Sequence, residues 1–294
     1  MAHHTSWPRK CFVFFNSTVL IVISVLCLFP LVHVLAISFS SSSAASAGLV
    51  KLWPVNFTVK SYTYMLKDPA FLKSFAVSVN RVLWGGSLSI LLSVITAYPL
   101  SKNSAALSGR TFYAWFFVFT ILFNGGLIPW YMTIKNVGIM GTMWALILPG
   151  AVTVFNIILL LNFFRGLPKE LEESAFMDGA GYWSAMWRLV VPLSLPSIAT
   201  ISLFTLVFHW NSWFDGLILM NSPDKYPLST YLQTVLITTQ LAELRTEELR
   251  LFMEISDRTT KAAQIFLGTL PILLVYPFLQ RYFTKGIVLG SVKE

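Results

Sequence analysis

Charged side chains are scarce in this chain, so the places where they gather bound the chemistry it can attempt. The most informative cluster, set between two long apolar runs, is Arg165-Gly-Leu-Pro168-Lys-Glu-Leu-Glu-Glu173-Ser-Ala-Phe-Met-Asp-Gly179, followed by Tyr182, Trp183, Trp187, Arg188 and Leu189-Val-Val-Pro192. Glu170, Glu172 and Glu173 favour the positive end of a helix dipole. Pro168 suits a first helical position, and Gly179 can take the left-handed conformation that stops a helix. A helix of about three turns ending at Asp178-Gly179 is expected, then a second short helix from Tyr182 to Val190 that Pro192 should end. The surface is offered either to another protein or to lipid headgroups.

The second constellation lies inside apolar runs: Asn80 and Arg81, Asn124, Asn156, and the group His209, Asn211 and Asp215 interleaved with Trp210 and Trp213. Polar groups are costly in lipid, so these should face other helices or water. Asn80 and Asn156 read best as interhelical hydrogen-bonding groups. Asp215, about 30 Å from the start of its run at 1.5 Å per residue, is expected near an external mouth, where a Lys could pair with it. Other chemistry is poorly supplied. Cys11 and Cys27 fall in or beside one apolar segment and build neither a disulfide framework nor a metal site. His3 and His4 stand in a terminal tail. No Gly-x-x-x-x-Gly-Lys-Ser/Thr loop is present to cradle a nucleotide.

The elements that must position these residues are membrane helices. Hydrophobic residues make up 55% of the chain and charged ones 12%, against roughly 45–50% and 25% in soluble domains. Mean hydropathy is +0.68. Runs 12–37, 75–100, 112–132, 144–164, 196–220 and 264–283 each reach the roughly 20 residues that cross a bilayer core. An all-α polytopic protein with six transmembrane helices is expected. The first run is too long for a signal-peptide core of about 7–15 residues, and reads as a retained anchor. Gly125, Gly126 and Pro129 should break or kink the third run.

Lys and Arg in the short connections set the orientation. Arg9 and Lys10, Lys102 and Arg110, Arg165, Lys169 and Arg188, and Arg281, Lys285 and Lys293 fall on one side, predicted cytoplasmic, with both termini there. Lys51, Lys60, Lys67 and Lys73 sit in a longer loop on the other side, and loops of that length cross regardless of charge. The net charge of +8 is then mainly a topology signal. Residues 1–70 are expected to form a tail, first helix and external loop, with a short helix near Tyr62 to Leu66. Residues 71–294 form a five-helix core carrying the 165–195 loop and an external loop, 221–263. Within that external loop an amphipathic helix over 239–263 is expected from the pairs Glu254/Arg258 and Asp257/Lys261 and from Leu241, Leu244 and Leu251.

Glu173-Ser-Ala-x-x-x-Gly179, nine residues, then Leu189-x-Val191-Pro192 resembles the EAA loop of ABC-importer membrane subunits, with Ser174, Leu189 and Val191 as small or apolar departures. Ala97-Tyr98-Pro-Leu-Ser101, Gly125-Gly-Leu-Ile-Pro129, His209-Trp-Asn-Ser-Trp213 and Tyr282-Phe-Thr-Lys-Gly-Ile-Val-Leu-Gly-Ser-Val-Lys293 are similar to oligosaccharide and polysaccharide permeases. The likeness spans about residues 70–294 and includes alginate importers. It implies a type I, maltose-permease-like fold, and two ATP-binding subunits that carry ATP and Mg while this chain binds no cofactor. It also implies a second, different permease subunit, a periplasmic or surface solute-binding protein, a saccharide cargo that could be acidic, and the bacterial inner membrane; no nucleic acid is involved. It assigns ATPase coupling to Glu173, Ser174, Ala175, Phe176, Met177, Asp178 and Gly179, with Glu173 pairing to a basic residue of the ATPase.

For a sugar, aromatic faces beside hydrogen-bonding groups are the expected wall. Arg81, Asn124, His209, Trp210, Asn211, Trp213 and Asp215 are therefore the candidates for lining its path. Two other classes are less well supplied. An ion-driven transporter would carry acidic residues near mid-span, where only Asp215, close to an end, is available. A membrane enzyme would need an acid or His constellation on a loop, whereas the acids here cluster in one helix of the 165–195 loop and in the external amphipathic helix; a non-transport scaffold or enzyme subunit is the remaining alternative.

Overall fold

The computed structural model describes residues 7–238 and 257–290, and all regular structure among them is helical. Three helices are long and apolar enough to cross a bilayer unbroken: α1 (Trp7–Ser38), α4 (Pro69–Ser101) and the Arg258–Phe278 stretch of the last helix, Asp257–Gly290. Three further spans are bent. Helices α5 (Arg110–Leu122) and α6 (Leu127–Asn136) meet at 117°. Helix α7 (Met143–Ile147) with its 3-10 extension Leu148–Gly150 meets α8 (Val154–Gly166) at 46°. The Tyr182–Leu193 segment meets α12 (Leu195–Asn211) at 81°. Counting each bent pair once gives six spans, in keeping with the all-α, six-span expectation.

The described residues divide into two compact units, those within 1–69 and 236–270 and those within 70–235 and 271–294. The sequence-based division set the break one residue later and kept 236–270 with the second part. Of the amphipathic helix expected over 239–263, residues 239–256 lie outside the described residues.

In the first unit the outward apolar side chains of α1, among them Phe12, Phe14, Ile21 and Leu26, suit a lipid-facing helix. Its end packs Ala36 and Ile37 with Ala44 and Ala45 of α2 (Ser42–Ser46), Val50 and Ala262. Ser40 ties this turn together, donating to the Ala36 carbonyl at 2.6 Å and accepting from the Val55 amide at 3.0 Å. Phe39 stacks on Phe57 and on Tyr62 of α3 (Lys60–Lys67), with ring centroids 5.3 and 4.7 Å apart.

In the second unit α4 is the organising element. Its buried positions, Ser74, Ser78, Arg81, Gly85, Ser89, Ser93 and Ala97, recur at three- and four-residue steps and so form one stripe. Without a hydrophobic force between helices in lipid, small residues of this kind let backbones approach closely. Toward the end of α4 the stripe passes into an apolar cluster of Val94, Ala97, Tyr98, Leu100, Ile157, Leu160, Phe164, Met186, Val190 and Ile201.

Several expectations are corrected. Pro192 does not end the second loop helix, which runs from Tyr182 through α10 (Tyr182–Ala185), a π-helical turn (Met186–Val190) and α11 (Val191–Leu193) to Ser194. The wider turn, closed by the Val191 amide on the Met186 carbonyl, shifts the ladder so that the amide proline lacks breaks nothing. Pro168 caps α9 (Lys169–Met177) rather than opening it. The run 196–220 is not one helix: it breaks at Ser212–Trp213 and resumes as α13 (Phe214–Leu219). The separation of about 30 Å expected for Asp215 counted turns along one continuous helix, and that count does not carry across this break.

Candidate functional site

The helix-and-glycine segment folds as its residues require. Glu170 and Glu172 occupy the first turn of α9, and Asp178 is its C-cap. Gly179 adopts φ +83°, the left-handed region that a Cβ disfavours. The Ala180 amide donates to the Ala175 carbonyl at 2.9 Å and the Gly179 amide to Phe176 at 3.0 Å. Those two bonds are the Schellman pattern, so the last turn is closed without side-chain help.

The loop residues divide between two faces. Glu173, Ser174, Met177, Asp178 and Gly179 are exposed, Met177 at 88%. The Ser174 hydroxyl donates to the Glu170 carbonyl at 2.8 Å. Ala175 and Phe176 are half-buried, and Phe176 meets the Tyr182 ring edge-on at 5.0 Å. Glu172, outside the predicted site, turns inward: it accepts from the Tyr98 hydroxyl at 2.7 Å and pairs with Lys102 at the end of α4. A groove of about 530 Å³ opens beside this pair, with Arg110, Arg165, Lys169 and Glu173 on its walls. Sequence reasoning had used Glu172 only as a dipole partner and Lys102 only as a topology marker. Nothing in their spacing announces a contact made 70 positions apart.

The second constellation surrounds a cleft of about 640 Å³. Its walls come from three places where the helices fail. One is the α5–α6 break with Asn124, Gly126 and Trp130; another is the 3-10 turn with Pro149 and Gly150; the last is the α12–α13 break with Ser212, Trp213 and Asp215. Gly126 holds φ +87° at the first break, and its amide donates to Asn124 Oδ1 at 2.9 Å. Non-helical backbone at membrane depth is tolerated where it is buried in protein or lines a watery cavity. Three breaks meeting at one cleft fit that condition.

Arg81 supplies the cleft's cation. It is 1% exposed, donates to the Ser212 carbonyl at 3.1 Å and pairs with Asp215 through both carboxylate oxygens. The expected Lys partner of Asp215 is thus replaced by an Arg from the middle of another span.

Of the seven path candidates, Arg81, Asn124, Trp213 and Asp215 line the cleft and His209, Trp210 and Asn211 do not. His209 is fully buried, its ring so close to Gly85 that a Cβ there would approach within 2.8 Å. Trp210 packs edge-on to Phe75 at 5.8 Å, and Asn211 is exposed. Asn156 is buried and donates to Thr205 at 3.0 Å, the interhelical role expected of it. Asn80 instead faces outward and donates to the Ala76 carbonyl of its own helix. Trp130, Phe208 and Phe214 were missed as lining residues. The Leu148-Pro149-Gly150 string was the available signal that the fourth span also breaks.

Broken spans around a cleft with aromatic walls and a few polar groups, with a short helix braced against the end of α4, suit a membrane transport subunit, and the relatives of this chain are transport components. The chain belongs to the family described as binding-protein-dependent transport system inner membrane component, which it matches over residues 1–288. It is 38% identical over 274 residues to the polygalacturonan/rhamnogalacturonan transport system permease protein YtcP of Bacillus subtilis (strain 168), covering 93% of this chain and 95% of that one. It is 37% identical over 290 residues to protein LplC of the same organism, covering 99% and 97%. A crystal structure of a bacterial ABC transporter involved in import of the acidic polysaccharide alginate contains a chain with TM-score 0.86 and 30% identity, covering 95% of this chain and 98% of that one. The resemblance drawn from the loop and span motifs is borne out, as is the permease fold.

Proposed function

We propose that this chain is one of two permease subunits of an ABC importer that moves an oligo- or polysaccharide, an acidic one by preference, across the bacterial cytoplasmic membrane. Two separate ATPase subunits carry ATP and Mg and dock on the loop 168–192. An external binding protein delivers the saccharide, the second permease is a different chain, and both termini are cytoplasmic. Transport is by alternating access, in which rigid-body movement of the loop opens the path to one side or the other.

The observation that carries this reading is the form of α9. It is closed by its own backbone at Gly179 and fastened on one side through Glu172, while Glu173 and Met177 stand out on the other. A short helix so held can take a load from a partner without unwinding. The cargo class rests on likeness to proteins named for polygalacturonan/rhamnogalacturonan transport and for import of the acidic polysaccharide alginate. A cleft with aromatic walls and a few converging polar groups suits a sugar. An ion-driven mechanism is less well supplied, since Asp215 is engaged by Arg81.

The test is to purify the chain with its bound partners, identify them, and measure ATP hydrolysis in liposomes with candidate binding proteins loaded with uronate oligosaccharides. Co-purification of an ATPase and stimulation by one loaded binding protein are expected. If no ATPase co-purifies and none is stimulated, the proposal is wrong. If stimulation comes only from neutral sugars, the cargo class is wrong and the transport role stands.

A further inference from the structure

Glu172 and Glu173 are neighbours in sequence, but successive helical residues point about 100° apart, and only Glu173 faces outward. The Glu172 side chain is 21% exposed and its carboxylate is held by the Tyr98 hydroxyl of α4 and the ammonium of Lys102 directly after it, a side chain 16% exposed. The ammonium also lies 4.0 Å from the centre of the Tyr98 ring. A lone surface ion pair holds little. This one is largely shielded, carries a third charge-assisted bond and is braced by a cation–π contact.

The same end of α4 gathers two more helices. The Leu100 carbonyl, left without a helical partner, accepts from Arg110 of α5 at 2.9 Å and from Arg165 of α8 at 3.3 Å. Cations are the favoured company for a helix C-terminus. Higher in the same helix, about 30 Å from Lys102 at ~1.5 Å per residue, Arg81 holds the α12–α13 break through Ser212 and Asp215. One continuous helix therefore has the loop fastened at one end and the cleft fastened along its length.

We propose that Glu172, through Tyr98 and Lys102, is a positioning residue that makes α9 and α4 move together, so that displacement of the loop reaches the Arg81 cleft along α4. This rests on the ATPase-docking reading above. Glu173 meets the partner and Glu172 passes the movement inward. The two adjacent carboxylates thus fail in different ways when removed.

The experiment uses the complete complex in liposomes, with its loaded binding protein, and reads saccharide uptake, stimulated ATP hydrolysis and the amount of ATPase bound. Glu172→Gln is expected to lower uptake and stimulation about tenfold, within the range typical of coupling between sites, with ATPase bound at the wild-type ratio. Lys102→Glu should do the same, and the exchanged pair Lys102→Glu/Glu172→Lys should recover uptake to within about threefold of wild type, because the interaction and not either residue is what counts. Lys102→Arg should retain uptake. If Glu172→Gln fails to insert, Tyr98→Phe, which removes one bond only, should still lower uptake several-fold at normal membrane levels.

Wild-type uptake in Glu172→Gln or in Tyr98→Phe would overturn the proposal. So would loss of bound ATPase in Glu172→Gln, or an exchanged pair no better than the single variants. A wild-type complex that binds no ATPase would instead sink the docking reading, which the Glu172 variants alone cannot do.

Discussion

Arg81 and Asp215, 134 positions apart, pair across the break between α12 and α13, and the same guanidinium holds the Ser212 carbonyl where α12 ends. The pair closes a gap that backbone hydrogen bonds leave open. Because Arg81 is 1% and Asp215 20% exposed at the side chain, removing one partner strands a charge.

Arg81→Ala or Asp215→Asn is accordingly expected to destabilise the chain by about 3–5 kcal/mol, while Arg81→Met with Asp215→Leu should regain most of that loss. Denaturant or thermal unfolding in detergent measures both. A double variant as unstable as the single ones would mean that the pair has no independent role in holding the break.

Gly179→Asp should uncouple uptake from ATP hydrolysis at normal membrane levels. A left-handed non-glycine costs roughly 1–2 kcal/mol, and the new carboxylate lies at the negative end of α9. A Cβ at Gly179 would meet nothing within 4 Å, so the defect would lie in the turn and in what docks on it, not in an internal clash. Unimpaired uptake by this variant would remove the coupling role of the turn.

Trp213 and Trp130 face one another's cleft from different breaks. Either one changed to Ala should raise the saccharide concentration needed for half-maximal uptake several-fold while leaving ATPase binding intact. Uptake assays over a concentration series, with partner quantification, separate this from misassembly. An unchanged half-saturation point in both variants would exclude the cleft from the path.

Tyr62, outside the spans, is expected to ionise above the ordinary tyrosine value of about 10, because burial disfavours the phenolate more than its bond to Ser38 favours it. The sign follows: stability is intact below about pH 10 and declines as pH rises through the higher folded value. Tyrosinate absorbance of the wild type against Tyr62→Phe isolates this group. Ionisation at or below the ordinary value would show that the Phe39–Tyr62 stack is open to water.

Much of the fold was legible because lipid makes long apolar runs unmistakable. The six runs, the break at Gly125-Gly126 and the stop at Gly179 all follow from local rules of length, backbone freedom and capping. The broken fifth span was not legible. Residues 212–213 carry no Gly or Pro, and the break is held by Arg81 from α4. The passage of the Tyr182 helix through Pro192 was equally hidden, since a π-helical turn leaves no signature in residue types.

The sequence by itself determined the solvent, the helical class and the helix-and-glycine loop at 168–179, because hydropathy, capping and dipole preferences act over neighbouring residues. Tertiary structure alone decided which polar residues meet. It joined Arg81 to Asp215 and Glu172 to Lys102, buried His209 and Trp210 outside the lining of the cleft, and turned two adjacent glutamates to different faces. Such pairings are set by how helices distant in sequence cross, and a burial cost shared between partners is invisible until both have been brought to one place.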